Sequence, residues 1–159
     1  MAIMLETVSG RDDPDLREIS RERAEMAIPD GRYEDGLAVR REVLGADYVN
    51  DSLERVSEFA QPMQQLVTEY CWGAIWTRDA LDRRTRSLVN LGMLTALNRT
   101  HELGAHVRGA INNGCSRDEI REVLLQTAIY CGVAAGLESF RTAERVLSEI
   151  EAEQSVAKS

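Results

Sequence analysis

The chain holds two histidines, His101 and His106, both in the run LDRRTRSLVNLGMLTALNRTHELGAHVRGAINNG, residues 81–114. Glu102 precedes His106 by four residues, so on a helix the two share one stripe. A carboxylate so placed can orient or charge the imidazole and move its pKa toward neutrality or above. General acid–base chemistry at physiological pH needs such a group. The same spacing also describes a solvent-exposed ion pair, and the residues alone leave both readings open. His101 falls near a helix start, where the macrodipole disfavours an imidazolium and suits a neutral hydrogen-bonding ring. An exposed helix-start residue is the plainer alternative.

The segment His101-Glu102-Leu103-Gly104-Ala105-His106 superficially resembles the zinc-protease pattern HExxH, but that pattern needs histidines four apart on one helical face. Here they are five apart and diverge by roughly 140° at about 100° per residue. No cysteine or carboxylate cluster lies nearby, so no metal site is expected.

Arg83, Arg84, Arg86, Arg99 and Arg108 flank the histidines. The planar guanidinium fork suits carboxylates. Arg84 and Arg86 open a helix against the macrodipole preference; ion pairing with Asp82 is one reason for them, a binding site another. Arg108 diverges from His106 by roughly 160° and would reach a neighbouring helix or subunit. Trp72 and Trp76, four apart, read first as core and second as the wall of a site.

Helical spacing then supplies the scaffold. Tyr33–Leu44 ends at Gly45, Gln61–Trp76 carries Pro62 in its first turn, and Leu81–Asn98 is apolar on most sides after Ser87. A short helix is expected within 48–59. Thr77 or Asp79 is a candidate cap for the helix after it, and Thr100 for the next, which stops at Gly114. Ser116-Arg117-Asp118-Glu119 is a capping box that opens a run to Tyr130. A last helix is expected over Ser139 to about Glu153. No strand pattern appears, so the expected fold is all-α, a single-domain bundle of about six or seven helices. Residues 1–30 read as a poorly defined N-terminal extension, 31–153 as the domain and 154–159 as a frayed tail.

Bulk properties agree. With 159 residues, 43% hydrophobic, the chain can bury a core as one domain. The net charge of −8 argues against nucleic acid as a partner. No apolar run reaches transmembrane length and the N-terminus has no signal-peptide pattern, so no membrane association and a cytoplasmic location are expected. Eighteen arginines against one lysine read first as codon usage. Cys71, Cys115 and Cys131 form no CxxC and are expected to be free thiols, packed as small apolar groups. The apolar faces of 63–75 and 88–97 exceed what one small bundle buries, which points to a homo-oligomer.

Several stretches together carry a family resemblance. They are Tyr33 with Gly36, Arg40-Arg41-Glu42-Val43-Leu44-Gly45, Glu69-Tyr70-Cys71-Trp72-Gly73 with Trp76, and Leu81-Asp82-Arg83-Arg84-Thr85-Arg86-Ser87-Leu88. His101-Glu102-Leu103, His106-Val107-Arg108-Gly109-Ala110, Asn113-Gly114, Glu119-Ile120-Arg121-Glu122-Val123-Leu124, Ala128-Ile129-Tyr130-Cys131-Gly132-Val133 and Phe140 complete them. Over about residues 31–148 the chain resembles the carboxymuconolactone decarboxylase family, which shares the fold of alkyl hydroperoxidase D. That resemblance implies a trimer or hexamer. It also implies cofactor-independent decarboxylation of a small anionic lactone, 4-carboxymuconolactone, to 3-oxoadipate enol-lactone in protocatechuate breakdown.

The family's antioxidant branch carries Cys-x-x-Cys-x-x-x-His. Its histidine matches His106, but Arg99 and Glu102 stand where its cysteines would be, and Ser87 or a neighbour replaces its relay glutamate. The implied roles are therefore those of a decarboxylase. His106 donates the proton, Glu102 tunes it and His101 polarises the lactone carbonyl. Arg86 and Arg108, with Arg84 as alternative, hold carboxylates beside Trp72. The rival readings are a relative that decarboxylates, isomerises or dehydrates another carbonyl compound, and a non-enzymatic oligomeric binding module.

Overall fold

The structure is a computed structural model that describes residues 32–156; the expected N-terminal extension lies outside the described residues. Among the described residues there are seven helices and no strand. They are α1 (Arg32–Leu44), α2 (Ala46–Glu54), α3, α4 (Arg83–Ala96), α5 (Thr100–Asn112), α6 (Arg117–Cys131) and α7 (Val133–Val156). Helix α3 begins as an ordinary α-turn over Gln61–Leu66 and widens into π-helix over Val67–Trp76. Periodicity reads 61–76 as one α-helix and misses the widening, because an apolar stripe of four-residue spacing fits either form. No described helix is long and apolar enough to cross a membrane.

Two apolar cores share α5. Leu91, Leu103, Val107, Ala110, Ile120, Leu124, Ala143 and Val146 form one, between α4, α5, α6 and α7. Val39, Val43, Leu44, Val49, Trp72 and Trp76 form the other, between α1, α2 and α3, with Ala105 of α5 packed on it. Asn112 ties α5 to α1 by donating to the Val43 carbonyl at 2.9 Å.

Helices α1 and α3 meet at two glycines. A Cβ on Gly36 would lie 2.2 Å from the Thr68 carbonyl oxygen, and one on Gly73 would lie 2.1 Å from that of Arg32. Backbone meets backbone there, so only glycine fits.

Local chemistry sets the helix ends. Asp82 caps α4 by accepting from the Thr85 amide at 2.6 Å, in place of the expected Thr77 or Asp79. Thr100 is the first helical residue of α5 rather than its cap, and Arg99 precedes it with no side-chain cap. The Ser116–Glu119 capping box is present on α6. The second helix begins at Ala46, earlier than expected.

The last helix starts at Val133 and runs to Val156, so 154–156 of the expected frayed tail are helical and the rest lies outside the described residues. Gly132, with φ 120°, breaks the chain, whereas Gly136 lies inside α7. Its missing side chain lets α7 approach α6, since a Cβ there would meet that of Ala128 at 2.4 Å. Cys115 is buried as expected, but Cys71 and Cys131 are exposed.

Candidate active site

His106 lies on the side of α5 that faces α3 and α4. Its ring stacks on Trp72 with centroids 6.0 Å apart and planes 6° apart, and on Trp76 at 6.2 Å and 26°. The two indoles touch each other at 4.9 Å and are both buried. From α4, the Asn90 carboxamide Nδ2 meets His106 Nδ1 at 3.3 Å. With Nδ2 as donor, Nδ1 accepts, and the ring hydrogen of the neutral imidazole is on Nε2.

This setting corrects the expected pKa. Burial among apolar rings lowers that of His106 to about 4, and the opposing pull of Glu102 does not overcome it. Glu102 is exposed and makes no hydrogen bond to the ring. The i,i+4 stripe is real, but desolvation of a charged ring outweighs a carboxylate that water screens. The free protein therefore holds His106 neutral at physiological pH.

The arginines separate by their partners. Arg84 is ion-paired with Glu119 of α6. Arg108 forms a two-pronged pair with Glu153 of α7, at 2.6 and 3.0 Å, with Glu149 at 3.8 Å. That pair holds the Glu153 carboxyl below the usual carboxylate range. As its helical angle implies, Arg108 points away from His106 and reaches a neighbouring helix.

Arg86 differs. Its Nε donates to the Leu81 carbonyl at 3.2 Å and its Nη2 to that of Arg78 at 2.9 Å. It makes no ion pair among the described residues. It stands one turn before Asn90 on α4, and the loop it grips follows directly on Trp76. The fold thus fixes a guanidinium, with no acid paired to it among the described residues, on the stripe that carries the His106 contact.

His101 is exposed and lies elsewhere. It lines a cleft of about 370 Å3 with Tyr48, Arg108, Arg145 and Glu149. The structure therefore divides the expected residues: His106, Trp72 and Arg86 flank the α3–α4–α5 junction, and His101 with Arg108 lines a second face. Asn90 had no place in the sequence reading. Its signal was a lone carboxamide in the apolar stretch 87–97, one turn after Arg86. Among the described residues, no three His, Cys, Asp or Glu side chains meet in a way that could hold a metal ion.

The all-helical fold agrees with the comparisons to known proteins. The chain belongs to the carboxymuconolactone decarboxylase family, whose model matches residues 61–145. It is 42% identical over 119 residues to a 4-carboxymuconolactone decarboxylase of Acinetobacter baylyi, covering 75% of this chain and 89% of that protein. It is 41% identical over 118 residues to nitrosuccinic acid decarboxylase npaB of Metarhizium robertsii, covering 74% of this chain and 82% of that protein.

Proposed function

We propose that this protein is a cofactor-independent carboxy-lyase that decarboxylates 4-carboxymuconolactone to 3-oxoadipate enol-lactone. The observation that carries the reading is the neutral His106 ring, held by Asn90 against a pair of touching indoles, with Arg86, which makes no ion pair among the described residues, one turn before Asn90 on α4. Such a site suits a reaction whose electron sink lies in the substrate. The breaking C–C bond gives up its electron pair to a conjugated carbonyl as CO2 departs, and the enolate left behind takes one proton on carbon. The protein must hold an anion, exclude water and deliver that proton.

Arg86 holds a carboxylate. Trp72 and Trp76 keep the site dry. His106, neutral before binding, gains proton affinity as the substrate's negative charge arrives in that dry setting. It takes up a proton as substrate binds and returns it to carbon after CO2 leaves. Glu102 favours the charged ring during that interval. His101, on the other face, takes no part in this scheme, and Arg84 and Arg108 act through their ion pairs in the fold.

The relative of Metarhizium robertsii supports a second substrate, nitrosuccinic acid. There the nitro group is the electron sink, and a nitronate replaces the enolate. The two acids share one demand, an anion that breaks down to a delocalised carbanion awaiting a proton. Incubating the purified protein with each acid and following CO2 release separates them. Turnover of the lactone at least tenfold faster supports the first reading. The reverse ratio assigns the nitro acid, and release from neither removes both substrate readings.

A homo-oligomer belongs to the same proposal. A groove of about 460 Å3 between α4 and α6 is lined by Val89, Met93, Val123 and Tyr130. Tyr130 on its wall and Ile129, the preceding residue in the chain, are 82% and 79% exposed. A second copy of the chain would cover this face.

A further inference from the structure

A buried cation is expensive unless an anion accompanies it. Arg40 of α1 is 6% exposed and makes no ion pair among the described residues. Its Nη1 donates to Gln64 Oε1 at 3.0 Å and to Thr68 Oγ1 at 3.2 Å, while its buried Nε has no partner among the described residues. Among the described residues, the ionisable groups that act on it are Tyr48, Tyr33 and Cys71, none of them a carboxylate, and burial lowers its pKa. A methionine would fill much of the same space without desolvating a charge, so stability alone does not account for a guanidinium here.

What Arg40 touches supplies the reason. Gln64 and Thr68 stand one turn apart on α3, and the π-helical stretch starts between them, at Val67. Thr68 is fully buried, and at the same four-residue spacing follow Trp72 and Trp76, the indoles that stack on His106. One nitrogen bonded to two successive turns fixes the rotation of α3 about its axis. The glycine contact between Gly36 and Thr68 fixes its distance from α1. Together they fix where both indole faces lie.

We infer that Arg40 is a positioning residue for His106: by pinning Gln64 and Thr68 it holds the π-helical register that lays Trp72 and Trp76 against the imidazole. It touches no substrate. This inference rests on the proposed role of His106, but its geometric claim stands apart from any turnover. The groups facing the ring are the two indoles from α3, the Asn90 carboxamide from α4 and, on its own helix, the Glu102 carboxylate. If the indoles shift, water reaches the ring and its pKa rises toward that of a free histidine.

The test is an NMR titration of the His106 ring in the full-length protein, with His101→Gln as background so that one histidine signal remains. Arg40→Met is expected to raise the His106 pKa by about one unit or more while the melting temperature holds or rises. Thr68→Val should shift it the same way, and Thr68→Ser, which keeps the hydroxyl, should leave it near the parent value. A parent-like pKa in both folded Arg40→Met and Thr68→Val overturns the inference. Should Arg40→Met fail to fold, the Thr68 pair alone decides it. An unmoved pKa beside intact lactone turnover defeats this inference and spares the decarboxylase reading. A shifted pKa without turnover of either acid does the reverse.

Discussion

At the scale of the residue, a histidine five positions from another and four from a glutamate behaves as its surroundings dictate. His106 has a folded pKa of about 4, below its unfolded value of 6.5, because burial opposes its charge. The unfolded chain therefore binds a proton that the native state refuses between those pH values. Stability carries no penalty from this group above pH 6.5, falls as pH drops from there to 4 and levels off below. The full loss is about 3 kcal/mol. Denaturant melts of wild type and His106→Gln at pH 7 and pH 4.5 should show the variant losing less stability on acidification. For Arg86, which carbonyl contacts hold in place, Arg86→Met should raise KM for 4-carboxymuconolactone about tenfold or more, with a smaller change in kcat. Steady-state kinetics over a range of substrate concentrations reads that split.

At the scale of the element, α3 decides the site. Its π-helical stretch, its glycine contact with α1 and its hold on Arg40 put both indoles where His106 meets them. Gly36→Ala should destabilise the protein by about 3 kcal/mol, because backbone rather than a flexible side chain must yield. Ser116→Ala, which removes only the α6 capping box, should cost about 1 kcal/mol. Chemical denaturation of the two variants checks the order. Most elements were legible in the sequence. The Ser116 box and Gly45 carry their signals within a few neighbouring residues. Three features were not legible, and each depends on a distant partner. The widening of α3 depends on packing against α1. The start of α7 at Val133 depends on Gly136 meeting Ala128. The choice of Asp82 over Asp79 as cap depends on where the loop after Trp76 turns.

At the scale of the whole molecule, two cores share α5, and His106 sits on the side of it that faces the indoles of the smaller core. The all-helical fold followed from periodicity alone. The candidate site was legible in part: the sequence singles out Trp72, Arg86 and His106, which the fold brings to one junction, but not Asn90, since nothing local ties a carboxamide on α4 to a ring on α5. The ion pairs of Arg84 and Arg108 were hidden for the same reason, their partners being 35 and 45 residues away in sequence. The exposed α4–α6 groove bears on assembly. Ile129→Glu should shift a purified oligomer toward the 17.8 kDa chain on gel filtration with light scattering. A wild-type protein that already runs as the single chain would remove the oligomer proposal.

The central claim is that His106, kept neutral by its burial against Trp72, Trp76 and Asn90, takes up and returns the proton that completes decarboxylation. Its most direct test is kcat/KM for CO2 release from 4-carboxymuconolactone by His106→Gln, with the fold checked by circular dichroism. The expected result is a loss of about 10²–10⁴ in rate with an unchanged helical spectrum. Turnover within a few-fold of wild type would contradict it.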